Sequence, residues 1–193
     1  MECRDKVIET DRLLLRILDE SWAETVLDYY LRNFAFLRQW EPQRDAEFFT
    51  AECQRSLLLT ELARMNLGEM FRFWIVKKEE ARQRRTIGTV ALSNIVRGGF
   101  QSCHLGYKLD QSELRRGYMT EAIGGVVGFA FGELGLHRVE ANILPRNAAS
   151  LGVVGKLGFY HEGLARKYLQ INGRWEDHIH MVIRNLAMEE IEN

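Results

Sequence analysis

Apolar residues recur along this chain at two distinct spacings, and the spacings divide it into helices and strands. Met119, Ala122, Ile123, Val126, Val127, Ala130, Phe131 and Leu134 repeat at three and four residues, which fixes a helix and its buried face. Gly124, Gly125, Gly128 and Gly132 lie off that stripe. Each costs up to about 1 kcal/mol relative to alanine, and close packing against a second surface would account for them. Ser21 to about Asn33 and Asp45 to about Asn66 carry the same helical spacing. DRLLLRIL (Asp11 to Leu18) reads as a buried strand. Phe71 to Lys78, Thr86 to Ile95 and Ser102 to Leu109 read as strands of an antiparallel meander, separated by EEARQRR and by Gly98 and Gly99. In the last of them Cys103, Leu105, Tyr107 and Leu109 share one face, and Ser102, His104, Gly106 and Lys108 the other. RVEANI (Arg138 to Ile143) is a further strand. A short helix from Ala148 to Leu157 follows, with Asn147 as its cap and Gly158 as its stop. KYLQI and WEDHIHMVI form a hairpin through Asn172-Gly173. A meander followed by strands linked through helices predicts an α/β (α+β) chain with a mixed, mostly antiparallel sheet flanked by helices.

Composition narrows the setting. With 193 residues, 46% of them hydrophobic, and only Pro42 and Pro145 as prolines, the expectation is one domain over residues 1–193 with a core that needs no disulfide or metal. A net charge of -1 gives no global field toward nucleic acid or an anionic membrane. Cys3, Cys53 and Cys103 are odd in number and widely spaced, the pattern of free thiols in a reducing compartment. The charged start MECRDKVIETDR does not read as a signal peptide, and no apolar run approaches the ~20 residues of a membrane span. A cytoplasmic protein without membrane contact is expected.

The candidate chemistry centres on LRRGYMTEA (Leu114 to Ala122), between a strand and the long helix. A helix start leaves amides unpaired and carries partial positive charge, so it receives anions. Leu114, Arg115, Arg116, Gly117, Tyr118, Met119 and Thr120 offer such amides, Gly117 permits close approach, and the two arginines add charge. This reads either as a phosphate site or as a solvated helix start. His178 and His180, two apart on a strand, lack the companions of a metal site, so structural or substrate-facing roles are expected and no metal. Tyr29, Tyr30, Phe34, Phe36 and Trp40 form either core or the wall of an acceptor groove. ARQRR (Ala81 to Arg85) reads as a solvated turn.

The order SCHLGYKL, LRRGYMTEA, long helix, RVEANI, PRNAAS (Pro145 to Ser150) and KLGF (Lys156 to Phe159) resembles the GNAT superfamily of acetyl-CoA-dependent N-acetyltransferases over nearly the whole chain. ETDRLLLR, WEP (Trp40 to Pro42), NIVRGGFQSCHLGY and INGRWEDH are similar to its RimJ/RimL branch, the RimJ type most of all; that branch acetylates N-terminal amines of ribosomal proteins. The resemblance implies the GNAT fold and acetyl-CoA as donor. It puts the pyrophosphate on the amides of Leu114 to Thr120 and the pantetheine arm along the backbone of Leu105, Gly106 and Tyr107. Leu114 and Met119 depart from the family's usual Gln/Arg and Gly/Ala, and Arg115 is the expected replacement for the polar start. Asn147 is implied as a pantetheine contact or as a helix cap alone. Val154, Gly155 and Lys156 stand at later cofactor-contact positions, with Lys156 on a phosphate or on a solvated face.

Amine acetylation needs a neutral amine and a proton for the departing thiolate. The tyrosine that many family members place seven residues after the asparagine is Val154 here, so Ser150 is the implied acid, set against a plain serine of a first helical turn. The glutamate of RimL-like relatives corresponds to Leu169. Asn142 faces away from Val139 and Ala141 at a position where other members carry a catalytic glutamate, and is assigned to binding the amine or a water, since an amide is no base. An α-amine, with pKa about 7.7 to 8.0, already has a useful neutral fraction at pH 7. Glu41 and Asp177 are carboxylates for orienting the amine or plain surface groups. The acceptor is expected to be a protein N-terminus, possibly ribosomal; the alternatives are a small amine (polyamine, amino acid or antibiotic), or a non-catalytic acyl-CoA-binding or ribosome-assembly role. Monomer and homodimer both stay open.

Overall fold

The alternating segments pair into one sheet in the computed structural model, which describes residues 3–189. Its strands are β1 (Val7–Glu9), β2 (Leu13–Arg16), β3 (Phe71–Lys77), β4 (Gly88–Val96), β5 (Ser102–Leu109), β6 (Arg138–Ile143), β7 (Tyr160–Ile171) and β8 (Arg174–Arg184). The order is β1-β2-β3-β4-β5-β6-β8-β7, and β5 with β6 is the parallel pair in an otherwise antiparallel ladder. The helices are α1 (Ala23–Leu37), α2 (Ala51–Asn66), α3 (Tyr118–Gly132) and α4 (Ala148–Lys156).

Both faces of β3 are buried because helices cover both. Phe73 and Ile75 meet the core beneath α3, where Ala122, Ile123, Val126 and Ala130 are fully buried. Trp74, on the other face, joins Tyr29, Tyr30 and Leu58 from α1 and α2. The aromatic set therefore divides. Tyr29 and Tyr30 are core, whereas Phe34 is exposed and Phe36 and Trp40 reach the cleft described below.

Several segments differ from expectation for identifiable reasons. The helix expected from Asp45 is interrupted at Thr50, whose extended backbone lets its Oγ1 accept from the Cys53 amide at 3.2 Å and cap α2. The segment expected as one strand from Asp11 shortens to β2, and the unforeseen β1 lies antiparallel beside it after a turn at Thr10. β7 begins at Tyr160, well before KYLQI, and is broken by an irregularity between Ala165 and Leu169 where Lys167 takes φ +50°. Within ARQRR, Arg84 is no solvated turn residue: it stacks on Trp22 at 4.2 Å and donates to the Ser21 carbonyl at 2.8 Å.

Packing accounts for one of the four α3 glycines. A Cβ on Gly125 would lie 3.2–3.3 Å from Thr10, Ile8 and Leu15, while Gly128, on the solvent side, has nothing within 4 Å. Gly128→Ala should therefore stabilise the protein by about 1 kcal/mol, the helix-propensity difference with no packing cost. Thermal denaturation should show a rise in Tm of roughly 2–4 °C. No change would mean that the helix gains nothing from the added side chain.

Candidate functional site

β5 and β6 stay paired only over Ser102–Arg138, Cys103–Val139 and His104–Glu140. Beyond those residues they part, and the gap widens into a cleft of about 800 Å³ lined by Leu105 to Leu109, by Asn142 to Leu144, by the start of α3, by α4, and by Phe36, Trp40 and Glu41. The β6-facing edge of β5 is left without a ladder partner over Leu105–Leu109. An unpaired strand edge inside a cleft is a template for an extended, amide-bearing chain.

At one end of that edge lies the loop before α3. Gly117 is the α3 N-cap at φ +82° and supplies no capping side chain; Arg115 is also left-handed, at φ +63°. The Glu121 amide makes the first helical bond, to the Gly117 carbonyl at 3.1 Å, so the amides of Tyr118, Met119 and Thr120 have no helical acceptor. All three residues line the cleft.

Side chains from distant parts of the chain hold this loop. Arg12 Nη1 donates to the Arg116 carbonyl at 3.0 Å and its guanidinium stacks on Tyr118 at 4.6 Å. Glu121 accepts from Thr10 Oγ1 at 2.6 Å, from the Arg12 amide at 2.8 Å and from Arg12 Nε at 2.7 Å. Burial alone would raise the Glu121 carboxyl, but those bonds outweigh it and hold it below its usual range. Before the loop, Asp110 is buried, and its pKa falls to about 2: burial opposes ionisation, yet Arg32 Nε at 2.7 Å and the Ser112 amide and hydroxyl prevail.

Of the residues expected to contact a cofactor, Leu105, Gly106, Tyr107, Leu114, Arg115, Gly117, Tyr118, Met119, Thr120, Asn147 and Lys156 line the cleft. Arg116 and Gly155 are outside its lining; the Arg116 guanidinium is 3.2 Å from Glu113. Val154 is fully buried in the core beneath α3, and Gly152 and Val153 present the cleft side of α4 instead.

Asn147 caps α4, its Oδ1 accepting from the Ser150 amide at 3.1 Å. Ser150 Oγ donates to Tyr107 Oη at 2.8 Å, and Tyr107 Oη donates to the Ser150 carbonyl at 3.0 Å. Burial pushes the Tyr107 phenol up to about 12, and its bond to Ser150 offsets only part of that rise. Asn142 Oδ1 is buried without a protein partner. Glu41 pairs with Lys108 at 2.5 Å on the cleft wall. Asp177 is directed elsewhere and accepts from the Lys167 amide at 2.8 Å.

His178, which sequence reasoning left among structural or substrate-facing histidines, also lines the cleft and is 3% exposed. Its Nδ1 is 3.0 Å from the Glu176 carbonyl, which can only accept, so Nδ1 carries the proton and Nε2 the lone pair. Burial lowers its pKa most of all, with the Glu176 carbonyl pulling the other way, so the ring is neutral at pH 7. The sequence signal was only local, two histidines two residues apart on one strand face; the pairing of His180 with Asn142, which sets that face beside the cleft, exists only in the sheet. Among the described residues no three His, Cys, Asp or Glu side chains converge to hold a metal, and no helix is long and apolar enough to cross a membrane.

This geometry has counterparts among known proteins. The family described as acetyltransferase (GNAT) domain matches residues 12–160. The probable N-acetyltransferase YjcK of Bacillus subtilis is 40% identical over 173 residues, covering 90% of this chain and 94% of its own. The crystal structure of the ribosomal-protein-S5-alanine acetyltransferase from Vibrio fischeri superimposes with a TM-score of 0.87 at 38% identity, covering 94% of this chain and 97% of that one. Mycobacterium smegmatis RimJ in complex with CoA-disulfide also gives 0.87, at 26% identity, covering 97% and 90%. With the splayed strands, the uncapped α3 start and a family match over most of its length, this chain belongs to the GNAT acetyltransferase family.

Proposed function

We propose that this N-acetyltransferase moves the acetyl group of acetyl-CoA to the N-terminal α-amine of a protein, a ribosomal protein first among acceptors, by direct attack in a ternary complex in the cytoplasm. The observation that carries the reading is the continuity, in one cleft, of an unpaired β5 edge with the free amides of Tyr118 to Thr120. Such an edge suits the amides of a pantetheine arm and such a helix start suits its pyrophosphate. The CoA-bound Mycobacterium smegmatis RimJ supports the donor, and the Vibrio fischeri relative, a ribosomal-protein-S5-alanine acetyltransferase, supports the acceptor.

Acetyl-CoA supplies the activated thioester. The chain's own part is to place it, to shield it from water between Trp40, α3 and α4, and to manage two protons. Ser150 is 2.8 Å from Tyr107 and both line the cleft, so the acid for the departing thiolate is best treated as this pair. A serine hydroxyl alone is a weak acid. Turning Ser150 Oγ toward the thiolate leaves Tyr107 Oη to sustain it.

Purified protein should be incubated with acetyl-CoA and panels of N-terminal peptides and small amines, with thiol release and product mass followed together. Acetylation at the peptide α-amine is expected; product with small amines alone would replace this acceptor reading. Ser150→Ala should lower kcat by roughly 10- to 100-fold with the acetyl-CoA KM little changed. If Tyr107 acts through Ser150, adding Tyr107→Phe to Ser150→Ala should cost little more, whereas additive losses would mean independent roles.

A further inference from the structure

The α-amine must lose a proton as it attacks, and the sequence offered no carboxylate for it. Among the groups lining the cleft, Glu41 is held by Lys108 and the remaining lysine and arginine are cations. Glu140 lies on the same sheet face but outside the cleft lining. It is 2.7 Å from Arg138, 3.4 Å from His180 Nδ1 and 3.7 Å from His104. His178 alone combines a position in the cleft, a ring fixed by its Nδ1 bond to the Glu176 carbonyl, and a lone pair on Nε2.

A second observation comes from the neighbouring cross-strand pair. Asn142 Oδ1 is a buried acceptor with no partner, and the facing His180 has a buried, unpartnered Nε2. Buried polar atoms are seldom left unsatisfied in a native structure. An acceptor orphaned at the wall of a cleft marks the place for an incoming N–H donor, and a primary amine is such a donor. Tyr168 packs over this patch, its ring 5.8 Å from His178 and 4.9 Å from His180.

We propose that His178 Nε2 is the catalytic proton acceptor for the attacking amine and that Asn142 Oδ1 orients the amine beside it. The inference rests on the acetyl-transfer reading above. As the bond between amine nitrogen and carbonyl carbon forms, the thioester C–S bond breaks. The amine proton goes to His178 Nε2, the thiolate takes a proton from the Ser150–Tyr107 pair, and exchange with solvent returns the one on His178 to that pair. The nitrogen becomes far more acidic as it bonds to carbon, so a weakly basic imidazole suffices. The charged and titratable groups around the ring are Glu176 and His180 on its own strand, Tyr168 on β7, and Arg146 before α4, which pairs with Glu176 at 3.0 Å; Glu140 on β6 reaches His180.

The test compares wild type, His178→Gln and His178→Ala in the 193-residue chain, using whichever amine of the panel turns over best. For His178→Gln, kcat should fall about 100-fold or more with the acetyl-CoA KM within about threefold. Wild-type kcat should fall on the acid side as His178 becomes protonated, and that limb should vanish in both variants. Added imidazole should restore part of the His178→Ala rate. A glutamine variant within about threefold of wild type that keeps the acid limb overturns the proposal. So does loss of acetyl-CoA binding together with activity, which would make His178 structural. If wild type acetylates only small amines, the α-amine reading falls and the same comparison still decides the role of His178. If wild type binds acetyl-CoA and acetylates no amine, both fall.

Discussion

Valine in place of Gly117 will raise the Kd for CoA by about 100-fold or more while leaving pantetheine binding nearly unchanged. Gly117 is at φ +82°, in the left-handed region where a β-branched residue is strongly disfavoured. A Cβ there would stand 3.3 Å from Arg12 Nη2, tighter than ordinary contact. Arg12 cannot withdraw freely, since it holds the Arg116 carbonyl and Glu121. The backbone must therefore yield. A return to negative φ reorients the peptide groups at the start of α3, where the amides of Tyr118, Met119 and Thr120 have no helical acceptor. Hydrogen bonds to a charged group contribute about 1.5–3 kcal/mol each, so losing two amounts to roughly 3–6 kcal/mol. Titration calorimetry with CoA and with pantetheine separates this from general damage. Equal losses for both ligands would mean that the whole cleft has been deformed, and unchanged CoA affinity would remove the phosphate from this loop.

How much of this was legible in sequence depends on whether the determining contact is local. The α3 register was readable because its stripe of Ala122, Ile123 and Val126 faces a fully covered sheet. Phe129 lies off that stripe and escaped notice. It is buried because Phe71 and Phe73 meet its ring edge-on at 5.1 and 5.2 Å, contacts that exist only once β3 passes beneath the helix. The first half of β7 was invisible for the opposite reason: as the sheet's last strand it exposes residues on both faces, so no apolar alternation marks it. The loop before α3 was legible as a glycine-capped helix start because glycine and a helix start are local features. Its supports were not: Arg12 and Glu121 are separated by 109 positions, and Tyr107 and Ser150 by 43. No spacing rule reaches across such distances; the splay of β5 from β6 brings Tyr107, Ser150, Asn142 and His178 to one cleft.

Lys77→Met should cost about 3–5 kcal/mol, because it strands a buried carboxylate at the root of the loop before α3. Lys77 and Glu113 are 6% and 3% exposed, and their charges approach to 3.2 Å. Glu80 Oε1 lies 2.5 Å from the same ammonium. That Glu80 bond, then the bond to Glu113, raises the Lys77 pKa against the opposing effect of burial. Glu113 ends the turn Gln111–Glu113 that leads into Leu114, so its position sets where the loop begins. Without the ammonium, Glu113 keeps the Arg116 guanidinium at 3.2 Å, more than half exposed and too well hydrated to compensate. Adding Glu113→Leu should recover most of the loss, since removing both members of a buried pair costs less than removing one. Thermal melts should show Tm falling by roughly 10 °C for Lys77→Met and rising again in the double variant. The pH dependence has a definite sign: with the folded pKa above the unfolded value of 10.5, the Lys77 contribution is complete below that pH and is lost only as pH rises through the folded value. The Lys77 ammonium should therefore contribute the same amount across the neutral range. A Lys77→Met protein as stable as wild type would show that Arg116 and solvent suffice to hold Glu113, and that the loop has its anchor instead in the Asp110–Arg32 pair and the contacts of Arg12.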